Sequence, residues 1–286
     1  MPRAVMSVIA FVLALVLGDA RATELIAQAR VAIGGDKAIA KVQGLSAAGT
    51  LQRLIGDRTV DGQFTFDLQL PDKILRTDTI SPMGDQTALV TGQGLNGDTL
   101  LRSSRILNAP PGAMIRTPPP PAPGSDAEAQ ALRNARAEFA RMTLALLLSS
   151  PASFPLEFRS AGQAESPDGM ADVVDVTGPN SFAARLFLDA GSHRPLMLTY
   201  RGIAPRVFVQ TQRGGPPPAD THAPAPAMPP GDVVEIALFL DDYRSIDGVQ
   251  LPHHLTRSID GKASEELTFT TIKINPAFKP GTFSGQ

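Results

Sequence analysis

The 286-residue chain contains no cysteine, so disulfides do not hold it together and cysteine nucleophiles are excluded. It does not need such staples. With 43% hydrophobic residues it can build a sizeable core, since folded domains of this size bury roughly 70–75% of the surface their unfolded chains expose. Aromatic residues make up only 5% and no run of Lys or Arg is dense, so both stacking platforms and an electrostatic footprint for nucleic acid are missing. There is no G-x-S-x-G, no H-E-x-x-H and no P-loop. No catalytic residue, metal ligand set or cofactor is therefore assigned, although triads are assembled in space rather than in sequence.

What is present begins with an export signal. Arg3 is followed by an apolar run from Ala4 to Leu17 and by Ala20-Arg21-Ala22, an A-x-A cleavage site. The run falls short of the roughly 20 residues that span a bilayer. It predicts cleavage after Ala22, a mature chain starting at Thr23 and no membrane span in the mature protein. Without a cysteine after the apolar run, the N-terminal lipid of a bacterial lipoprotein cannot be attached. Removing residues 1–22 takes away Arg3, Arg21 and Asp19 and leaves 24 basic and 27 acidic side chains.

From Thr23, a candidate N-cap, the stripe Leu25, Ile26, Ala29 and Ile33 predicts a helix stopped by Gly34-Gly35, with a shorter one over Asp36 to Val42. Beyond Gly44 the period becomes two. Between Val60 and Leu70, Val60, Phe64, Phe66, Leu68 and Leu70 share one face, while Asp61, Gln63, Thr65, Asp67 and Gln69 share the other. Further strands are predicted at 72–80, 86–91, 98–103, 154–163, 171–177, 182–189 and 196–201.

The stretch Val233 to Ile274 reads as a three-stranded meander with two copies of one turn, Ser245-Ile246-Asp247-Gly248 and Ser258-Ile259-Asp260-Gly261. The total is about eleven strands, nearly all suited to antiparallel pairing. Pro-rich stretches at 109–124 and 214–231 hold fourteen of the 26 prolines and read as loops, because proline cannot donate to a ladder. Between them a long helix is predicted from Ser125 or Asp126 to Pro151, apolar on most sides from Phe139 to Leu148. Such a helix must be buried or lie across an apolar cavity.

Gly92-Gln93-Gly94-Leu95-Asn96-Gly97 matches the letters of a dinucleotide fingerprint, but a strand follows where a helix N-terminus would be needed. Asn96-Gly97 is better explained as a hairpin turn. Adjacent His253 and His254 point to opposite faces of a strand, so a site built from them with Asp241, Asp242 and His193 is the weaker alternative to a satisfied inner histidine and a solvated outer one.

Two stretches resemble a known family. They are Ala29 to Val42 followed by Leu45-Ser46-Ala47-Ala48-Gly49-Thr50, and Tyr243 to Pro252 followed by Glu265 to Ile274, Asn275-Pro276 and Phe278. Both are similar to exported bacterial proteins of the LolA-like superfamily, related to outer-membrane lipoprotein-sorting carriers. That resemblance implies a single α+β domain over 23–286. It would be a strongly curved antiparallel sheet, an incomplete β-barrel, with helices covering the concave face. It further implies a periplasmic carrier or binding protein, not an enzyme, that shields lipid or lipoprotein acyl chains in an apolar cavity. The expected lining is Phe64, Phe66, Leu68, Phe182, Leu186, Leu198, Leu251 and Leu255 from strands, with Met142, Leu146 and Leu147 from the long helix. Two alternatives stand beside it: a secreted hydrolase using Asp241, His253 and His254, and an envelope-stress sensor domain with an envelope protein partner. This chain departs from the sorting carriers in its length and its two Pro-rich insertions.

Overall fold

A computed structural model describes residues 20–81, 87–108, 121–166, 169–203 and 232–284. Helix α1 covers 20–32, followed by α2 (Asp36–Ile39) and the strands β1 (Gly44–Ile55), β2 (Arg58–Gln69), β3 (Lys73–Ile80), β4 (Ala88–Asn96) and β5 (Thr99–Leu107). Helix α3 (Asp126–Leu147) comes next, then β6 (Glu157–Ser166), β7 (Gly169–Gly178), β8 (Phe182–Asp189), β9 (Pro195–Ile203), β10 (Val233–Ile246), β11 (Val249–Ile259) and β12 (Lys262–Ile274).

The twelve strands, one more than the sequence suggested, form one antiparallel sheet in the order β5-β4-β3-β2-β1-β12-β11-β10-β9-β8-β7-β6. The chain lays down two meanders and joins them where β1 pairs with β12, so both ends of the domain meet mid-sheet. The two edges, β5 and β6, are consecutive in the chain and do not pair. A ladder between them would close the wall into a barrel and abolish both edges. Instead α3 connects them in the chain and packs on the inner face, against residues of β2, β11 and β12. The sheet is thus an open barrel with a helix against its inner face.

Local chemistry explains the hairpins. Asp247 and Gly248 adopt φ of 50° and 83°, and Asp260 and Gly261 adopt 46° and 77°. These are the paired positive φ values that a two-residue turn between right-twisted strands requires. Gly97, at φ 59°, turns β4 into β5, but the two-residue turn is Gly97-Asp98, one position beyond the expected Asn96-Gly97, because Asn96 still pairs with Thr99. Those two strands run further than predicted. At the junction, β12 carries a bulge: Thr271 pairs with Ala48 and Phe269 with Gly49, leaving Thr270 as the extra residue. A Cβ on Gly49 would lie 2.0 Å from the Thr268 carbonyl oxygen, so only glycine permits this approach.

Curvature follows from who touches whom. Arg76 on β3 and Glu265 on β12 lie three strands apart, about 14 Å on a flat sheet at the usual strand spacing. Yet the Arg76 Nη2 to Glu265 Oε1 distance is 2.8 Å, so the face they share is concave. Side chains from β1, β2, β7, β8, β11 and β12 join those of α1 and α3 in one apolar core on that face.

The helices differ in detail from expectation. Thr23 lies inside α1, not at its start, because Ala20 to Ala22 continue the helix, with Ala22 buried and Arg21 bonded to Glu24 at 2.9 Å. Ser125 caps α3 by accepting from the Glu128 N–H at 3.2 Å, while the Glu128 carboxylate accepts from the Gly124 N–H at 2.6 Å. This reciprocal arrangement satisfies donors that a helix start leaves free. Helix α3 ends at Leu148, in the left-handed conformation (φ 47°). The Pro-rich stretches lie outside the described residues, except 121–124 of the first.

Candidate functional site on the inner face of the sheet

The predicted lining residues converge. Phe64, Phe66 and Leu68 on β2, Phe182 and Leu186 on β8, Leu198 on β9, and Leu251 and Leu255 on β11 are all buried. They share one cluster with Met142, Leu146 and Leu147 of α3. Strand alternation brings the β2, β8 and β11 residues to the same face, and the apolar second half of α3 lies against them. The fit is close. Between Phe66, Leu251 and Phe269 on the sheet and Leu146 on α3, the remaining void is about 10 Å³, room for no more than one water. At this point helix and sheet are in close contact, with α3 packed on the face expected to receive acyl chains.

The same face carries a polar rim that the lining list lacks. Arg53 follows Leu51 on β1, Arg76 and Asp78 follow Ile74 on β3, Arg257 follows Leu255 on β11, and Glu265 precedes Leu267 on β12. Asp78 and Glu265 are buried. Glu265 accepts from Arg76 at 2.8 and 2.9 Å and also from Arg53. Asp78 accepts from the Arg76 Nε at 2.7 Å and from Arg53. Burial pushes the Glu265 carboxyl upward, but the Arg76 charge and hydrogen bonds, with Arg53 and Arg257, outweigh it and hold the group at about 2. The signal was available, because the alternation that places Ile74 inward also places Arg76 and Asp78 inward.

Helix α3 meets this rim. Glu138 accepts from Arg257 at 3.2 Å, and the Arg141 guanidinium lies 3.9 Å from the Tyr200 ring centroid and 5.3 Å from that of Phe182. Burial, then the Glu138 charge, raises the Tyr200 hydroxyl to about 12. Elsewhere α3 is tied by Arg136 to Asp98 and by Arg30 of α1, which donates to the Leu148 carbonyl at 2.6 Å. No backbone hydrogen bond among the described residues joins α3 to a strand.

The alternative histidine site is not assembled. Asp241 and His254 are cross-strand partners, but Asp241 is exposed on the outer face. His253 points inward, buried, with its Nδ1 3.0 Å from the Leu251 carbonyl. Adjacent strand residues face opposite ways, and that separates them. Among the described residues no group of three or more His, Asp or Glu could hold a metal. A separate groove of about 210 Å³ lies on the outer face beside Phe187, Met197 and Phe239.

No protein-family model matches the sequence, and no curated protein matches it. Solved structures do align over nearly the whole chain. A LolA superfamily protein from Nitrosomonas europaea aligns at 8% identity and a TM-score of 0.44, over 90% of this chain and 94% of that one. A putative outer membrane lipoprotein-sorting protein domain from Vibrio parahaemolyticus aligns at 11% and 0.47, over 93% and 97%. A DUF1329 family protein from Desulfovibrio piger aligns at 8% and 0.47, over 92% and 97%. At these scores the functional reading rests on the chain's own geometry.

Proposed function

We propose that the protein is an exported carrier or binding protein that receives a lipid or acylated ligand between α3 and the concave sheet. Helix α3 acts as the lid. The observation that carries this reading is the position of α3, whose apolar second half packs against Phe66, Leu251 and Phe269 on the inner face of a wall left open at its two edges. It is attached by side chains and its two connections, so moving it breaks no sheet ladder. An acyl chain would then take over the apolar surface α3 covers, contributing about 0.8 kcal/mol per buried CH₂. That replacement offsets the cost of exposing Leu144, Leu146 and Leu147.

Export is part of the proposal, supported by the N-terminal apolar run; among the described residues no helix is long and apolar enough to cross a membrane. N-terminal sequencing of protein recovered from the periplasm should begin at Thr23. A chain retained in the cytoplasm would count against a carrier.

Because the chain has no cysteine, the lid can be tested with introduced ones. In the double variant Asp98→Cys with Arg136→Cys, a short bis-maleimide should lock α3 to the β4–β5 turn. Loading of a fluorescent phospholipid is expected in the untreated variant and lost after cross-linking. Equal loading before and after would refute the lid, and no loading of any hydrophobic probe would refute the carrier.

A further inference from the structure

At the rim beside α3 the guanidiniums outnumber the carboxylates. Among the described residues the rim gathers Arg53, Arg76, Arg141 and Arg257 around Asp78, Glu138 and Glu265. Asp78 and Glu265 are each shared by Arg53 and Arg76. Glu138 makes the ion pairs of both remaining cations, Arg257 at 3.2 Å and Arg141 at a marginal 3.5 Å, with Glu265 acting on Arg257 through its charge. The Arg141 Nε is buried without a hydrogen-bond partner. Its guanidinium is held flank-on by Tyr200 and Phe182, while its side chain keeps 16% of its surface open to solvent. A positioned, part-shielded guanidinium with an unused donor fits the two oxygens of a carboxylate or phosphate. The apolar floor begins beside it at Phe182.

We infer that Arg141, with Arg257 beside it, is an oxyanion-receiving subsite at the rim of the inner face. It takes a carboxylate or phosphate headgroup whose tail lies along the apolar floor. This rests on the carrier reading for the tail, but not for the anion. Glu138 is the internal stand-in, the carboxylate whose place between Arg141 and Arg257 the incoming anion takes while α3 stays seated at the rim. The assignment also gives a reason for a positive excess at the rim of a face otherwise given over to packing.

The chain has two tyrosines and no tryptophan, so in a Tyr243→Phe background the ultraviolet emission reports Tyr200, directly under Arg141. In that background, cis-parinaric acid and its methyl ester are titrated as the charged and neutral probes, and inorganic phosphate is followed by Tyr200 emission. The acid is expected to bind about tenfold more tightly than the ester, as suits a charge-assisted hydrogen bond. Arg141→Gln should erase that preference while leaving the ester unchanged, and Arg141→Lys should restore part of it. A thermal melt of each variant checks folding. Phosphate binding that Arg141→Gln abolishes, with neither lipid probe bound, would keep the anion subsite as one for a free anion and sink the carrier. Equal binding of acid and ester by the parent, with no phosphate response, would overturn the subsite and leave the carrier standing. Silence from all three probes would overturn both.

Discussion

At the residue scale, Glu265 is the side chain on which most of the buried charge converges. Its carboxylate bonds two arginines and is itself buried. Removing one partner of such a group leaves uncompensated charge, so Glu265→Gln should destabilise the protein by about 3–5 kcal/mol at neutral pH. Acid should do the same gradually. The folded carboxyl sits at about 2, below its usual 4.5. A depressed acid contributes stability that is present above the unfolded pKa and lost as pH falls through the folded one. Wild-type melting temperature should therefore drop between about pH 4.5 and pH 2, with a contribution on the order of 3 kcal/mol from this group. In Glu265→Gln that part of the slope should vanish, and an unchanged acid slope would show that Glu265 is not the group responsible. Arg76, although burial opposes its charge, is held above its ordinary value by Glu265 and Asp78 and remains a cation throughout.

At the element scale, α3 combines a well-made start with an unusual end. The Ser125 cap and the Glu128 return bond were half legible, since Ser125 and Asp126 were both candidates and the geometry selects Ser125. Ser125→Ala should cost about 1 kcal/mol, read as a shift in denaturant midpoint without a change in slope. No shift would mean that the first turn of α3 contributes nothing to the cooperative unit. The far end stops at Leu148, a non-glycine in left-handed backbone, and Arg30 binds its carbonyl across from α1. Nothing local in the sequence announces that contact, because its partners are 118 residues apart. The Asp-Gly hairpins are the opposite case: each specifies its own turn within two residues, and both were readable, whereas the β4–β5 hairpin was readable but turns on Gly97-Asp98, one residue beyond the expected pair.

At the scale of the whole molecule, the open barrel divides into a wall held by ladders and a helix held by side chains. The β1–β12 junction at mid-sheet is flanked by paired strands on both sides, whereas α3 shares no backbone bond with the strands among the described residues. Local opening follows such differences in attachment. Amides of residues 139–147 should exchange with solvent well before those of β1 and β12, and bound lipid should change protection in α3 more than in the wall. Equal protection throughout would make helix and sheet one cooperative block and remove the lid. Most strands, the long helix and the burial of every proposed lining residue were legible because alternation and helical period record which face is buried. The polar rim was legible in the same alternation but went unread, since each strand contributes only one or two charges and their meeting is a property of the curved sheet.

The sequence by itself determined the local pieces: which runs alternate, where Asp-Gly turns reverse the chain, where a greasy helix starts, and which side chains face inward. Only the tertiary structure decided that β5 and β6 remain apart and that α3 packs on the inner face. It also decided how closely α3 meets the wall beside Leu146, and that four arginines and three carboxylates from five distant segments share one rim. The reason is physical. Periodicity is written within a few residues of chain, but curvature, closure and filled volume depend on contacts between segments whose separation along the chain carries no trace of their meeting.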